Sequence, residues 1–354
     1  MRILTVVGAR PQFIKAAPVS RSLRKAGHEE ILVHTGQHYS ASLSENVIEE
    51  AALPAVHENL EVGSGTHAYQ IGAVAQGVSE LVRRYRPRLV LVLGDTNSTL
   101  GGALGATAGG SPVVHGEAGL RSGDLRMPEE VNRIATDHMS RLLLVPTPRV
   151  GRSLEKEGVS GRIVVAGDPL LDTLAENAPD PAEMSGIEAL AQRGKFLLCT
   201  VHRAQNTASA GVLGELLEIL AGLDWPTLLP LHPRAAALLA GRPGFPGGGL
   251  HVLPPLSRGT TLELARRSLA VLTDSGGLQR EAYFLGVPCV ILRESTEWIE
   301  TLESGWSILA GRDGASIRRA CESPPRGKAP PDLRAFGGGK AAEAWRQAIE
   351  ESFS

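Results

Sequence analysis

The sequence predicts an α/β protein built from two doubly wound, Rossmann-like domains that face each other across a cleft. Three observations lead there. Short apolar runs rich in β-branched residues recur with helical patterns between them, the texture of a parallel sheet covered on both faces. The alternation is interrupted once, by a polar stretch through Pro179, Pro181 and Gly186, and then resumes. A length of 354 residues with 42% hydrophobic side chains suits two buried cores.

The run at residues 3–7 ends at Gly8 and Arg10, too short for the apolar core of a signal peptide, and reads as the first strand. Residues 31–34, 89–93, 113–115, 142–145 and 163–165 follow as further strands. Between them Ile71, Val74, Ala75, Val78, Leu81 and Val82 keep one helical face apolar before Arg83, Arg84 and Arg86 close the helix. The second series of strands falls at 196–200, 227–231, 250–253, 269–273 and 289–292. The expected division is 1–170 for the first domain and 171–335 for the second. The Pro- and Gly-rich stretch 323–339 reads as a linker, and 340–354 as a terminal helix packing back on the first domain.

Composition removes several classes of function. With 36 basic and 38 acidic side chains the formal charge is -2, so no net field draws in a nucleic acid or an anionic membrane. An aromatic share of 4% leaves few rings for stacking bases. No run approaches the roughly 18 apolar residues that span a bilayer. Cys199, Cys289 and Cys321 are odd in number and far apart, which fits a reducing cytoplasm better than a disulfide framework or a cysteine-rich zinc site.

In open α/β sheets ligands bind at the carboxyl ends of strands, so residues there carry the functional argument. Gly8-Ala9-Arg10-Pro11 follows the first strand, with Lys15 one turn further on; Arg10 and Lys15 could flank an anion at a helix N-terminus, or could be two solvated cations. Asp95, in Gly94-Asp95-Thr96, is either a cleft carboxylate or a helix cap. Glu117 lies within His115-Gly116-Glu117-Ala118-Gly119-Leu120-Arg121, where a purely structural carboxylate has little to do. Pro128-Glu129-Glu130 with Asn132 and Arg133 opens the next helix, and acids at a helix start ordinarily complement its dipole.

In the second half His202-Arg203 ends a strand and suits a general acid or an anion contact; His232 before Pro233 is a weaker equivalent. Asp274-Ser275-Gly276-Gly277 between a strand and a helix is the clearest anion signal, because glycines allow close approach to free amides. Glu281, one turn along that helix, could accept hydrogen bonds from a diol. Other motifs fail. Gly63-Ser64-Gly65-Thr66-His67-Ala68 fits a dinucleotide fingerprint in letters but is not in the first strand-helix turn. There is no Walker A sequence and no Asp-x-Asp pair, and His34 with His38 straddle a strand end, so no metal is expected.

The ordered set resembles the non-hydrolysing UDP-N-acetylglucosamine 2-epimerases, nearly end to end. It comprises Gly8 to Pro11 with Lys15, Thr35-Gly36-Gln37-His38, Gly94-Asp95-Thr96, Glu117 to Arg121, Pro128 to Arg133, His202-Arg203, and Thr273 to Gly277 with Glu281. The resemblance implies the two-domain GT-B fold and a cytoplasmic homodimer that uses no cofactor and no metal. It places catalysis on Asp95, Glu117, Glu129 and His202. It places UDP-sugar binding on Arg10, Lys15, Arg133, Ser275, Gly276, Gly277 and Glu281. Carboxylates gathered in one cleft would be expected to raise one another's pKa. Two departures stand out. Thr296-Glu297-Trp298-Ile299 replaces the Thr-Glu-Arg-Pro of many members, a variant resembling the branch that includes UDP-2,3-diacetamido-glucuronate 2-epimerases. Pro255-Leu256-Ser257-Arg258 lacks an aromatic often found beside the base.

Overall fold

Alternating apolar side chains decide how each strand is used. In β1 (Arg2–Val7) Ile3 and Val7 belong to one core cluster, with Leu4 and Val6 in another on the opposite face. Leu89, Leu91 and Leu93 against Val90 and Val92 repeat the pattern in β4 (Leu89–Leu93). A strand buried on both faces is the signature of a parallel sheet covered by helices. The structure, a computed structural model, describes residues 1–36, 52–176, 178–207, 209–231, 235, 237, 238 and 247–354.

The chain divides into two compact units, residues 1–173 with 332–354, and residues 174–331. In the first, β1, β2 (Glu29–His34), β3 (Glu58–Asn59), β4, β5 (Val113–Gly116), β6 (Leu142–Val145) and β7 (Arg162–Val165) form a parallel sheet ordered β3-β2-β1-β4-β5-β6-β7. In the second, β8 (Leu197–Thr200), β9 (Thr227–Pro230), β10 (Leu250–Leu253), β11 (Ala270–Thr273), β12 (Cys289–Ile291) and β13 (Ser307–Leu309) are ordered β10-β9-β8-β11-β12-β13, again parallel. Both orders reverse direction once, between β1 and β4 and between β8 and β11. Beside such a reversal the connections leave to opposite faces and open a crevice at the carboxyl edge.

Strands β3 and β13 go beyond the sequence expectation. β3 has two residues, and β13 follows Gly305-Trp306 with only Ile308 and Leu309 to mark it. The stretch 323–339 is also more than a linker. Leu333–Phe336 makes a 3-10 turn whose Phe336 is fully buried and whose carbonyl accepts the Asp168 amide at 3.0 Å. One aromatic anchor outweighs the surrounding proline and glycine. The terminal helix Ala341–Phe353 packs its Trp345, Ile349 and Phe353 into the core of the first unit. Trp345 Nε1 donates to the Gly167 carbonyl at 3.3 Å.

All three cysteines are buried and unoxidised, with Cys199 and Cys289 in different core clusters of the second unit. Burial pushes the Cys289 thiol up to about 12. Among the described residues no helix is long and apolar enough to cross a membrane.

Candidate active site

In the first unit the candidate side chains follow the carboxyl ends of β1, β4 and β5. After β1, Gln12 rather than an anion occupies the turn. Its Oε1 accepts the Gly8 and Ala9 amides at 2.7 and 3.0 Å, while Nε2 donates to the Leu93 carbonyl at 2.7 Å and to Thr99 Oγ1 at 3.0 Å. The Gly8 and Ala9 amides are thus taken up by a side chain, and the β1 turn is fastened to the end of β4. Arg10 is exposed, but Lys15 is buried and forms an ion pair with Glu117.

Glu117 has an unusual backbone. Its φ of 64° is in the left-handed region, where a side chain costs about 1–3 kcal/mol, and it is 6% exposed. Gly94 permits the Lys15–Glu117 pair, since a Cβ there would lie 3.3 Å from Glu117 Oε2 and 3.7 Å from Lys15 Nζ. Asp95 follows immediately. It does not cap the next helix, because Thr96 accepts the Thr99 amide in that role. The Asp95 carboxylate accepts from Arg133 Nη2 and keeps 32% of its side chain exposed, and its carbonyl accepts Asn132 Nδ2 at 2.9 Å.

Helix Pro128–Met139 separates two adjacent glutamates by role. Glu130 is buried and accepts the Ser122 and Gly123 amides at 2.8 and 2.9 Å and Arg133 Nη1 at 3.0 Å. Glu129 is half-buried and makes no side-chain hydrogen bond or ion pair with a described residue. Each of two candidate acids is therefore matched by a buried cation, Glu117 by Lys15 and Asp95 by Arg133, rather than standing in a bare cluster of carboxylates.

In the second unit the cradle sits after β8 and β11. Asp274, fully buried, accepts the His202 amide at 3.0 Å, the Arg203 amide at 3.0 Å and Asn206 Nδ2 at 2.9 Å. This fixes the loop from which the exposed His202 projects. Ser275 Oγ caps helix Gly276–Phe284 through the Leu278 amide, and the amides of Gly276 and Gly277 have no acceptor among the described residues. An N-terminus with open amides favours an anion. Glu281 on the same helix is 8% exposed, and its Oε1 accepts Arg258 Nε and Nη2 at 3.0 and 2.7 Å.

The departure at residues 296–299 is structured by arginines. Trp298 is buried with the Arg280 guanidinium 3.8 Å over its ring, and Arg280 Nε donates to the Gly276 carbonyl at 3.1 Å. Glu297 is paired bidentately with Arg293 at 2.9 and 3.1 Å, with Arg203 at 3.7 Å.

Several of these groups escaped the sequence reading. Gln12 at the third position of a helix is a capping signal. Arg258 begins helix Arg258–Arg267, where the dipole disfavours a cation, and that mismatch points to a buried acidic partner. Asp137 carries no motif at all, and His115 enters the sequence reading only as a strand end beside Glu117. Gln37, His38, His232 and Pro233 lie outside the described residues.

Over residues 21–350 the chain matches the family model described as UDP-N-acetylglucosamine 2-epimerase. The chain belongs to that family. It is 41% identical over 325 residues to a UDP-N-acetylglucosamine 2-epimerase homolog of Methanococcus maripaludis, covering 90% of each chain. It is 39% identical over 352 residues to the UDP-2,3-diacetamido-2,3-dideoxy-D-glucuronate 2-epimerase of Pseudomonas aeruginosa, covering 97% of each. The crystal structure of the Methanocaldococcus jannaschii UDP-GlcNAc 2-epimerase in complex with UDP-GlcNAc and UDP matches with a TM-score of 0.88 at 33% identity, over 99% of this chain and 100% of that one. The two parallel sheets are accordingly those of a GT-B fold.

The buried carboxylates of the epimerase also make a pH prediction. Burial works against the charge of Asp137, yet His115 and then Arg121 hold its pKa below the usual carboxylate range. Burial likewise opposes Glu130, and the Ser122 and Gly123 amides with Arg133 hold it low. A folded pKa below the unfolded one stabilises at pH values above the unfolded value near 4 and is lost as pH falls through the folded value. In urea titrations of the first unit, the advantage of the native chain over Asp137→Asn should be full at neutral pH and shrink below about pH 4. A difference independent of pH would contradict this.

Proposed function

We propose that the chain interconverts UDP-N-acetylglucosamine and UDP-N-acetylmannosamine by inverting the second sugar carbon. The observation that carries the reading is Glu117, a buried carboxylate in a left-handed backbone at a strand end, held against Lys15. Strain and burial of this kind collect where chemistry needs them.

The hydrogen on the second carbon has no adjacent carbonyl to acidify it, so inversion requires either transient oxidation or loss of a leaving group. Elimination needs only acids, bases and an anion cradle. A carboxylate drawn from Glu117, Glu129 and Asp95 removes the proton as the bond between the anomeric carbon and UDP breaks, giving 2-acetamidoglucal and UDP. Protonation on the opposite face, with re-addition of UDP oxygen to the anomeric carbon, completes the inversion without a net change of groups. Arg10, Lys15, His202 and the Gly276 and Gly277 amides stabilise the departing diphosphate. Arg133 orients Asp95. Glu281, oriented through Oε1 by Arg258, receives a ribose hydroxyl on Oε2. The same reading takes the enzyme as a cytoplasmic homodimer acting without a cofactor, and the dimer is checked by light scattering.

A second substrate is favoured by one feature. The Arg280–Trp298 stack stands where many members carry Thr-Glu-Arg-Pro, and a relative of 39% identity acts on a diacetamido-glucuronate. Incubation with either UDP-sugar in heavy water, followed by NMR of the sugar protons, separates the possibilities. The epimerase yields the 2-epimer with deuterium at the second carbon and little net UDP. Accumulating UDP means hydrolysis, an acceptor requirement means glycosyl transfer, and binding without turnover means a sensor. Any of those three would replace the proposal.

A further inference from the structure

One buried carboxylate ties together both flanks of Glu117. Asp137 Oδ1 accepts from His115 Nδ1 at 2.7 Å, while Oδ2 accepts the Gly119 amide at 3.1 Å and Arg121 Nη1 at 2.8 Å. On the other side of the His115 ring, Nε2 donates to the Gly94 carbonyl at 2.7 Å, and the Gly94 amide donates to the Gly116 carbonyl at 2.9 Å. His115 and Asp137 are both fully excluded from solvent. The contacts therefore bracket Glu117 at His115 and Gly119, two residues away on either side, and reach Gly94, the residue before Asp95. The register of β4 with β5 is set by separate backbone bonds. This network instead sets the path of the turns beyond the strands, where Glu117 adopts its left-handed φ of 64°.

We infer that His115 and Asp137 are positioning residues for catalysis, holding Glu117 and Asp95 in reacting geometry while touching no substrate. The inference rests on the reading that these two acids work on the sugar. Asp137→Asn keeps the shape but offers an amide where a donor already points, so the turn loses its anchor. A misplacement of this kind should lower kcat by about 100-fold, with KM changed by less than about two-fold. Arg121→Gln removes one of the three contacts to Asp137, together with the Arg121 pair to Glu157 on the partly exposed side, and should cost about 10-fold in kcat. Near-ultraviolet circular dichroism of the buried Trp345 reports that the first unit remains folded; if Asp137→Asn loses that signal, Arg121→Gln decides.

A purely structural role would not produce coupling to the acid. In a double-mutant cycle Asp137→Asn should therefore add little to Glu117→Asp, because both act through one carboxylate. Wild-type kcat in folded variants, a loss confined to KM, or fully multiplicative losses would each overturn the inference. Glu117→Gln at the wild-type rate would overturn the functional reading itself, and the inference with it. An inactive Glu117→Gln beside normal Asp137→Asn and Arg121→Gln would overturn the inference alone.

Discussion

Glu117→Gln is expected to lower turnover by about 10³-fold, within the range that removal of a general acid or base produces, while UDP affinity changes by less than about two-fold. The substitution is nearly isosteric, so the loss measures charge and proton transfer rather than shape. It has a second consequence. Lys15 is 5% exposed and its carboxylate partner would be gone, leaving an uncompensated buried cation. Breaking one side of a buried pair costs about 3–5 kcal/mol, so the midpoint of unfolding of the first unit should fall as well. Lys15→Met with Glu117→Gln removes both charges and should recover much of that stability without recovering turnover. Steady-state assay of the 2-epimer, with UDP binding by calorimetry, separates the two effects. Turnover near wild type in Glu117→Gln would remove the residue from the chemistry.

Trp345→Ala is expected to cost a comparable amount of stability through packing alone. The side chain is fully buried in the core cluster of the first unit that also holds Phe13, Leu91 and Leu144. Removing a buried Trp costs about 3–5 kcal/mol, a large share of the roughly 5–15 kcal/mol that holds a domain folded. The effect should reach the active site too. Gly116, the residue before Glu117, lies so close to the Trp345 ring that a Cβ there would come within 2.2 Å of it. The C-terminal helix is thus part of the support beneath the turn that carries Glu117. Urea unfolding followed by circular dichroism should show an earlier transition for the first unit, and a shift below about 1 kcal/mol would argue that the helix is a dispensable appendage.

Much of this architecture is legible from alternation alone. Residues 3–7, 89–93 and 270–273 are apolar on both sides, and only a parallel sheet with helices on each face buries such runs. Edge strands are less legible, as β3 and β13 show, because two or three residues carry no period. At the candidate site, the strand-end rule pointed to Asp95, Glu117 and Ser275 to Gly277, which the structure places after β4, β5 and β11. The partners could not be read the same way. For Lys15 the spacing from Pro11 suggests an anion contact and says nothing of the glutamate 102 residues away with which it pairs. Asp137 and Arg258 become meaningful only when folding sets them beside His115 and Glu281. Pairwise compensation of buried charge is a three-dimensional property, and sequence spacing records it only within a helix or a hairpin.

The elimination route is tested most directly by following two labels in one sample. UDP-N-acetylglucosamine carrying oxygen-18 at the bridge between sugar and diphosphate is incubated with the enzyme in heavy water. Cleavage of the anomeric bond frees the β-phosphate to rotate before re-addition, so oxygen-18 should scramble into non-bridging positions as deuterium enters the second carbon. Deuterium entry with the bridge label fully retained would mean that UDP never leaves, and would contradict elimination through 2-acetamidoglucal.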